Sequence, residues 1–365
     1  MLWHIYLTRY CNLQCTYCGA DPTFETIPSE PQYDKKDLIS FLKQDPEPII
    51  NFYGGEPLLR IHRMLELMDS LEEHVPNVKF VLQTNGLLLH KVPVEYVRKF
   101  HSILVSIDGR PSITNNYRGK TVFNKLQKNL QYIIKTCNFE GELIARMTIS
   151  RYSDIYEEVK FLLDPENDLG FTHAHWQLDA LWNSENWPEF SSWIHNNYNE
   201  GIKRLLTWWI STIKEKESVP KIIPFLGIMT SLLTKTPTGI RCGAGQTSYT
   251  ISTDGNLIFC PICPEEPDAL TGSIHSSITD IKKVPLTEPC LSCEIISICG
   301  GRCLYTNHFK TGSEEDYNAV CDATKFLIAN LQKEIPIIKN SISLEKISYQ
   351  DIIYPDINNG TEIIP

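Results

Sequence analysis

Residues 2–18 read LWHIYLTRYCNLQCTYC, a run of strand-forming residues followed by three cysteines in a short polar stretch. The aliphatic and aromatic residues at 2–7 are typical of a buried strand. The cysteines are Cys11, Cys15 and Cys18. Their i, i+4, i+7 spacing also fits one face of a helix, but the polar residues between them favour a loop. Three thiolates on a short loop can bind three irons of a [4Fe–4S] cube, and the fourth iron then keeps an open coordination position.

The first strand-like segment begins an alternation of strands and amphipathic helices. The six predicted strands are Leu2–Leu7, Ile49–Phe52, Val78–Leu82, Ser102–Ile107, Leu143–Ile149 and His173–Leu178. Apolar residues recur at helical spacing in Ile61–Met68, Leu126–Ile134 and Ile155–Leu163. This alternation predicts an α/β fold in which helices cross a parallel sheet. Six units are too few for the usual eight-stranded closed barrel, so we predict a partial (β/α)6 barrel followed by a small cysteine-rich auxiliary domain.

Changes in pattern along the chain predict four regions. They are a partial barrel at 1–180, a helical, Trp-rich bridge at 181–237, a cysteine-rich domain at 238–325, and a helix and tail at 326–365. Irregularly spaced tryptophans such as Trp182 and Trp187 favour burial against the barrel over a ligand cage. After Pro237 the periodicity fades, which predicts a small domain held together by metal rather than by a core. The last helix is predicted at Ala323–Lys333.

Polar motifs follow or end the predicted strands after the first. They are Gly54-Gly55-Glu56-Pro57, Thr84-Asn85-Gly86 and Ser106-Ile107-Asp108-Gly109, with Arg146 inside the fifth strand. Each motif alone is a common turn sequence. The motifs nevertheless fall at the ends of successive strands. Because the carboxyl ends of the strands in a parallel barrel face one mouth, this placement predicts an active site there.

The N-terminal cysteines resemble the CxxxCxΦC signature of the radical S-adenosylmethionine (SAM) superfamily, with Cys11, Cys15 and Cys18 as the thiols and Tyr17 as the aromatic residue. The resemblance implies a [4Fe–4S] cluster on these cysteines and SAM on the open iron. It also implies reductive cleavage of SAM to methionine and a 5′-deoxyadenosyl radical, which abstracts a hydrogen from the substrate. Such a site needs hydrogen-bond acceptors for the ammonium group of SAM and donors for its carboxylate.

The residues that this resemblance assigns to SAM lie mostly in the polar motifs. They are Tyr17, Gly54, Gly55, Glu56, Pro57, Asn85, Ser106, Asp108, Arg146 and Leu178. Glu56 and the carbonyls beside the two glycines can accept from the ammonium group. Arg146 and Ser106 can donate to the carboxylate, and Asp108 or Asn85 can reach the ribose hydroxyls.

Eight further cysteines fall within residues 242–321. Cys260 with Cys263 and Cys290 with Cys293 form two CxxC pairs, as in a zinc ribbon, but the 26 residues between the pairs exceed the usual range of about 15–20. Seven of the eight resemble the pattern of the SPASM domain of radical SAM enzymes, several of which mature peptides. The seven are Cys242, Cys260, Cys290, Cys293, Cys299, Cys303 and Cys321.

The resemblance implies two auxiliary [4Fe–4S] clusters, and so three clusters in all. One would be held by Cys290, Cys293, Cys299 and Cys321, and the other by Cys242, Cys260 and Cys303. Sulfatase-maturating relatives take a further ligand shortly after the first of these cysteines, where Gly243–Tyr249 contains none. Either Cys263 completes this second cluster or one iron stays open to substrate. Cys137 fits neither motif and is predicted to be a buried helix residue.

The auxiliary clusters favour a radical SAM enzyme that acts on a peptide or small protein by cross-linking, thioether formation or oxidation. Cys11 lies so close to the first residue that we expect no leader-binding domain. Formylglycine formation is disfavoured, because Pro261 stands where sulfatase-maturating relatives have an Asp base. The candidates for a base are His173, His175, Asp179 and Asp254. Each of them is as consistent with a structural role, so no catalytic residue is assigned.

Two other functions stay open. The same chemistry can act on a small molecule such as a tetrapyrrole, since haem-pathway relatives share the SPASM architecture. The alternative outside catalysis is an iron–sulfur or zinc protein for electron transfer or structure, which would not cleave SAM.

The composition limits the remaining classes. The 365 residues are 42% hydrophobic and 21% charged, as in a folded globular protein. A net charge of −10 without a dense basic stretch disfavours nucleic-acid binding. Neither a signal peptide nor an apolar run of membrane-spanning length is present, which predicts a cytoplasmic protein without a membrane partner. The clusters imply that the protein functions under anaerobic conditions and receives electrons from a low-potential donor of the flavodoxin or ferredoxin type.

Overall fold

The computed structural model describes residues 1–19, 27–179 and 187–365. The strands are β1 (Leu2–Thr8), β2 (Ile49–Gly54), β3 (Lys79–Thr84), β4 (Phe100–Ser106), β5 (Glu142–Ile149), β6 (His173–Leu178), β7 (Ser248–Ile251), β8 (Asn256–Ile258) and β9 (Leu270–Ser273). The helices are α1 (Lys35–Leu42), α2 (Ile61–His74), α3 (Val94–Val97), α4 (Pro111–Arg118), α5 (Val122–Gln131), α6 (Ile155–Leu163), α7 (Phe190–Trp193), α8 (Asn199–Lys216), α9 (Ile223–Thr234), α10 (Ile296–Cys299), α11 (Leu304–Phe309) and α12 (Glu314–Ser343). In this part of the chain no helix is long and apolar enough to cross a bilayer.

The strands just named lie in one sheet, in the order β6-β5-β4-β3-β2-β1-β7-β8-β9. From β1 to β6 each strand pairs in parallel with the next. All residues of β1 are buried, as expected for a parallel strand covered on both faces. The α/β fold with a partial six-unit barrel is therefore confirmed. Each predicted strand agrees with the observed strand to within two residues at either end.

Helices between the strands cover the outer face of the barrel as their apolar spacing predicts. In α2 the buried residues Met64, Leu67, Met68 and Leu71 recur every three or four positions and join the main core. The N-terminus of α6 is capped by Asp154, whose carboxylate accepts hydrogen bonds from the Tyr156 and Glu157 amides at 3.1 and 3.3 Å.

The cysteine-rich region is joined to the barrel through its backbone. β7 pairs in parallel with β1 on the side opposite β2, and β8 and β9 follow it antiparallel. A small apolar cluster also forms here, with Phe259 and Ala269 fully buried and Leu304 1% exposed. The expectation that metal alone would organise this region was therefore incomplete. Pairing with a distant strand leaves no periodic signal in the sequence.

The Trp-rich bridge buries its aromatic rings, as predicted. Trp209 of α8 is fully buried, packs edge-on against Phe225 of α9, and donates to the Pro220 carbonyl at 2.9 Å. Trp187 and Trp193 pack together with ring centroids 4.9 Å apart. Trp182 and the predicted boundary at residues 180 and 181 lie outside the described residues.

The last helix is much longer than predicted. α12 runs for 30 residues, from Glu314 to Ser343, rather than over Ala323–Lys333. Ser313 caps its N-terminus and acidic residues occupy its first turn, which stabilises an earlier start. Pro336 lies inside the helix, where the sequence pattern places a stop, because proline lacks an amide hydrogen and crowds the preceding turn. Packing against α8 and α9 carries the helix past it.

The segment after α12 returns to the barrel. Ile352 and Tyr354 are buried, and from Asn359 to Pro365 every residue except Glu362 is buried. The sequence gives this segment only the turn-forming Asn358-Asn359-Gly360, and its burial was not predicted.

Replacing Pro336 tests the cost of this proline. Since an interior proline disfavours a helix by about 3 kcal/mol, Pro336→Ala is expected to raise the free energy of unfolding by about 1–3 kcal/mol. Urea denaturation followed by circular dichroism measures the change, with exposed Lys333→Ala on the same helix as the control. A Pro336→Ala variant that is less stable than the parent would show that packing requires the proline.

Candidate active site

The three cysteines after β1 lie on one loop at the carboxyl end of that strand. Cys11 and Cys18 are exposed, Cys15 is half-buried, and all three are free thiols. The Cys18 amide donates to the Cys15 carbonyl at 3.0 Å, and the Thr16 amide donates to the Tyr117 carbonyl of α4 at 2.9 Å. Accessible free thiols held on a short, anchored loop are the donor set that a [4Fe–4S] cube takes, so these residues fit the implied cluster.

A buried ion pair anchors this loop through Tyr17. The Tyr17 hydroxyl donates to Asp108 Oδ2 at 2.7 Å, and burial raises the pKa of that hydroxyl well above its ordinary value, so it stays a donor. Arg118 binds both oxygens of Asp108 through Nε and Nη2, at 2.8 and 2.7 Å. The Thr148 amide donates to Oδ1 at 3.0 Å. Four hydrogen bonds thus occupy Asp108, which anchors the loop through Tyr17.

The Gly54-Gly55 pair lets the loop after β2 lie directly on the loop after β1. A Cβ at Gly54 would be 2.2 Å from the Thr8 carbonyl oxygen, and one at Gly55 would be 2.3 Å from that of Tyr10. Gly54 also has φ +130°, a conformation that favours glycine. The Gly55 amide donates to the Thr8 carbonyl at 2.9 Å. Any larger residue at either position would push the two loops apart.

Glu56 connects the loop after β2 to the end of β3. Its carboxylate is fully buried and accepts from the Leu58 amide at 3.0 Å, the Thr84 hydroxyl at 2.7 Å and the Asn85 amide at 2.7 Å. Burial raises the pKa of Glu56 to about 7, although these hydrogen bonds oppose the shift. The Glu56 side chain therefore points into the protein. The backbone carbonyls of this loop are left to serve as acceptors for an ammonium group.

Asn85 extends this network to the cysteine loop. Its side-chain amide donates to Asn12 Oδ1 at 2.7 Å and lies 3.8 Å from Cys11 Sγ. An N–H directed at a cysteine sulfur favours the thiolate. The sequence proposed Asn85 for the ribose, and the structure places it beside the first cysteine.

Arg146 and Ser106, the two predicted carboxylate donors, are register partners on β5 and β4. Both terminal nitrogens of Arg146 already donate to Glu362, Nη1 to Oε2 at 2.8 Å and Nη2 to Oε1 at 2.7 Å. Sequence reasoning did not find Glu362, because an isolated acidic residue far from every motif carries no local signal.

A cavity of about 140 Å³ lies between the barrel and the cysteine-rich region. On the barrel side it is lined by Tyr53, Arg146 and Leu178, and the tail contributes Glu362. On the opposite side it is lined by three cysteines, Cys242, Cys260 and Cys303. These are the three that the SPASM resemblance assigns to one auxiliary cluster.

A second, smaller cavity of about 50 Å³ is lined by the other predicted group of cysteines. It is lined by four cysteines, Cys290, Cys293, Cys299 and Cys321. The last of them comes from α12 and the others from the region before α11. Among the described residues no three His, Cys, Asp or Glu side chains converge on a single ion, but each thiol of a cube binds a different iron. Both cysteine groups fit the implied clusters in donor chemistry and in grouping.

Cys263 lies beside the first of these groups. It is 1% exposed, and its thiol donates to the Cys260 carbonyl at 3.2 Å. Tyr6 of β1 hydrogen-bonds to the carbonyl of Pro261, between these two cysteines. Cys137 is fully buried in the core behind α5, as expected for a bystander.

Three of the four candidate bases, His173, His175 and Asp179, lie on or directly after β6, and Asp254 lies between β7 and β8. Burial lowers the pKa of His175 to about 3, and burial also lowers the pKa of His173, so both rings are neutral near pH 7. Asp254 accepts hydrogen bonds from Asn256 in the turn between β7 and β8. Asp179 lies at the carboxyl end of β6, where burial raises its pKa and the Ser150 hydroxyl donates to it at 2.6 Å.

Comparison with known families agrees with this arrangement. Residues 5–138 match the radical SAM superfamily. The thiol loop, the Gly-Gly turn and the ends of β1 to β4 therefore belong to a radical SAM domain.

Curated relatives extend the comparison beyond this domain. The cysteine-type anaerobic sulfatase-maturating enzyme of Clostridium perfringens (strain 13 / Type A) is 24% identical over 345 residues, covering 86% of this chain and 91% of the relative. An uncharacterized protein of Methanocaldococcus jannaschii is 28% identical over 169 residues, and the match spans 56% of its length. The AdoMet-dependent heme synthase of Oleidesulfovibrio alaskensis is 26% identical over 165 residues, which cover 42% of this chain and 40% of the relative. The chain thus matches only about half the length of several relatives.

Solved structures share the whole architecture. Native anSMEcpe with bound AdoMet superposes with a TM-score of 0.70 at 19% identity, over 94% of this chain and 100% of the other. The same protein with AdoMet and the Cp18Cys peptide gives a TM-score of 0.66 at 18% identity, over 94% and 99%. At this identity the likeness establishes the fold, including the cysteine-rich region.

Breaking the buried ion pair should release the cysteine loop. Asp108→Asn leaves Arg118 without its charged partner, and we expect the free energy of unfolding to fall by about 3–5 kcal/mol. Denaturation of the anaerobic protein measures this loss. The control is Glu72→Gln, which breaks a partly exposed pair with Lys99 and should cost about 0–1 kcal/mol. Equal effects in the two variants would contradict an anchoring role.

The contact between the first two loops can be tested with one methyl group. Gly55→Ala is expected to cost about 1–3 kcal/mol and to reduce iron bound by the N-terminal cysteines, because the methyl group collides with backbone oxygen. Gly239→Ala is the matched control, since its Cβ meets nothing within 4 Å. Thermal unfolding and iron analysis measure the two effects. Wild-type iron retention in Gly55→Ala would show that the loop can move away.

Proposed function

We propose that this enzyme uses SAM to start a radical reaction on a peptide or small protein. The chemistry that a bound cluster and SAM supply is reductive cleavage to methionine and a 5′-deoxyadenosyl radical, which takes a hydrogen atom from the substrate. The observation that carries the proposal is the cavity between Arg146 and the cysteine group of Cys242, Cys260 and Cys303. A substrate group in this cavity would lie between the SAM site and an auxiliary cluster.

The residues of the barrel mouth have distinct tasks in this proposal. Cys11, Cys15 and Cys18 hold the SAM cluster. The carbonyls of the Gly54-Gly55 turn accept from the ammonium group of SAM, and Arg146 with Ser106 donates to its carboxylate. Tyr17, Pro57 and Leu178 line the pocket around the rest of the cofactor. The anchored loops keep these groups in place.

The cysteine-rich region supplies two further clusters in this proposal. Their separate cavities support one group of four ligands and one group of three. Cys263 is our candidate for a fourth ligand in the second group, because it is adjacent to Cys260. We retain the four predicted regions, with boundaries at 180, 237 and 325, as a proposal for the domain organisation.

A peptide is favoured over a tetrapyrrole on two grounds. The match to the sulfatase-maturating enzyme covers 86% of this chain, whereas the match to the heme synthase covers 42%. The cavity of about 140 Å³ is also far smaller than the ~300–1,000 Å³ typical of pockets for drug-sized ligands, so it has no room for a whole tetrapyrrole. Pro261, in the place of an Asp base, supports a reaction other than formylglycine formation.

The supporting partners follow from the chemistry. A low-potential donor such as a flavodoxin or ferredoxin would deliver the electron for each turnover. An open iron degrades in oxygen, so we place the enzyme in an anaerobic cytoplasm.

The direct test is cleavage of SAM. Protein reconstituted anaerobically with iron and sulfide is incubated with SAM and dithionite, and 5′-deoxyadenosine is measured by chromatography. Formation of 5′-deoxyadenosine supports radical chemistry. A fully loaded protein that forms none would leave the non-catalytic iron–sulfur hypothesis.

Mass spectrometry separates the two substrate classes. Short peptides encoded beside the gene, and a tetrapyrrole in parallel, are incubated with the loaded enzyme and SAM. A mass change on a peptide supports the proposal and identifies the bond type. Turnover of the tetrapyrrole alone would favour the second hypothesis.

The cysteine assignment makes a quantitative prediction. Replacing Cys11, Cys15 and Cys18 together by Ala is expected to remove roughly a third of the iron, about four of twelve atoms, and to abolish 5′-deoxyadenosine formation. Iron and sulfide analysis with electron paramagnetic resonance measures the loss. Cys137→Ala is the control and should keep all of the iron, because Cys137 lies in the apolar core. Loss of all iron in the triple variant would contradict independent clusters.

A further inference from the structure

The segment after α12 crosses the open interior of the barrel. Asn359 donates to Glu142 of β5 at 2.9 Å. A Cβ at Gly360 would lie 3.3 Å from the His4 ring on β1. The same segment therefore contacts strands from opposite parts of the six-strand arc, and it lies between them.

This segment is fixed in place. Ile363 and Ile364 are 2% and 1% exposed. Gly227 of α9 approaches so closely that a Cβ there would be 2.4 Å from Ile363. At the far end, Arg302 Nε donates to the Pro365 carbonyl at 2.6 Å. Apolar burial and hydrogen bonding at both ends make it a well-packed wall of the barrel.

Glu362 is the charged residue that this wall carries into the barrel. Its side chain is 18% exposed and that of Arg146 is 14% exposed, so their contact is largely shielded from water. Fully buried His175 places Nε2 3.3 Å from Glu362 Oε2. Burial opposes ionisation of Glu362, but Arg146 more than offsets it, and the pKa of Glu362 lies below its ordinary value. The pair is therefore an ion pair at neutral pH.

The geometry of this pair leaves part of Arg146 for another ligand. Glu362 takes one N–H from each terminal nitrogen, whereas a guanidinium carries five. The edge formed by Nε and the adjacent terminal nitrogen can still bind a carboxylate by two parallel hydrogen bonds. An arginine held from one side in this way loses little conformational freedom when a second carboxylate arrives.

We propose that Glu362 is a positioning residue, which holds the Arg146 guanidinium so that its other edge receives the carboxylate of SAM. This inference rests on the proposed function, since it takes SAM as the ligand of Arg146. Without Glu362, Arg146 would be a largely buried cation that keeps the 3.4 Å contact of Nη1 with His175 Nδ1 but loses the two hydrogen bonds that orient it, and SAM would have to order it on binding. The opposite relation is competition, in which Glu362 occupies the place of the SAM carboxylate. The two relations predict changes of opposite sign in SAM affinity.

The experiment measures SAM binding by iron-loaded enzyme in equilibrium dialysis under anaerobic conditions. Loss of a residue that orients a ligand-binding side chain typically costs about 10–100-fold in affinity. We therefore expect Glu362→Gln to bind SAM roughly ten-fold more weakly or worse. Glu362→Asp keeps the charge with a shorter reach and should lie between the wild type and Glu362→Gln. Exposed Glu215→Gln is the matched control and should bind like the wild type. Iron content and circular dichroism should be unchanged in all three variants.

Kinetics provide a second readout. A positioning role predicts that Glu362→Gln raises the KM for SAM by about the same factor, while kcat at saturating SAM changes less. Wild-type or tighter binding by Glu362→Gln would overturn the positioning role, and tighter binding would establish competition. If Glu362→Gln fails to fold, Glu362→Asp decides, and an affinity equal to the wild type overturns the proposal. A loaded wild type that binds no SAM would instead refute the proposed function itself.

Discussion

The backbone pairing of β1 on both of its edges determines the layout of this molecule. Parallel ladders join β1 to β2 on one side and to β7 on the other. The cysteine loop begins where β1 ends, so one strand sets the position of Cys11, Cys15 and Cys18 relative to both the Gly-Gly turn and the cysteine-rich region. A one-residue slip in either ladder would reverse the faces of β1 and separate these groups.

Much of the barrel could be predicted because its signals are local. Strand periodicity, helix spacing and turn residues each lie within about ten residues, and all six barrel strands were found with small errors at their ends. The cysteines that the SPASM resemblance assigns to sets of three and four also line two separate cavities. The features that were not predicted depend on contacts between residues far apart in the sequence. The sequence does not show that β7 pairs with β1, or that packing on α8 and α9 continues α12 through Pro336.

The site residues divide in the same way. Their positions at the strand ends follow from the sequence, but their partners do not. The sequence pattern suggests Glu56 and Asp108 as ligands for a cofactor. Both carboxylates are buried, however, and accept hydrogen bonds from residues of neighbouring elements. Charged residues beside a site are often the supports of its loops, because an unpaired buried charge is costly and every such charge needs a partner. Glu362 shows the converse, a residue without any motif that reaches the centre of the barrel.

The pairing of β1 with β7 also sets an order of assembly during synthesis. β1 emerges first and β2 can join it early, but β7 follows more than two hundred residues later. At roughly 5–20 residues per second, one edge of β1 waits on the order of 10–50 s for its partner. The segment that carries Glu362 comes later still. The barrel interior therefore acquires this wall only after all nine strands of the sheet have been synthesised.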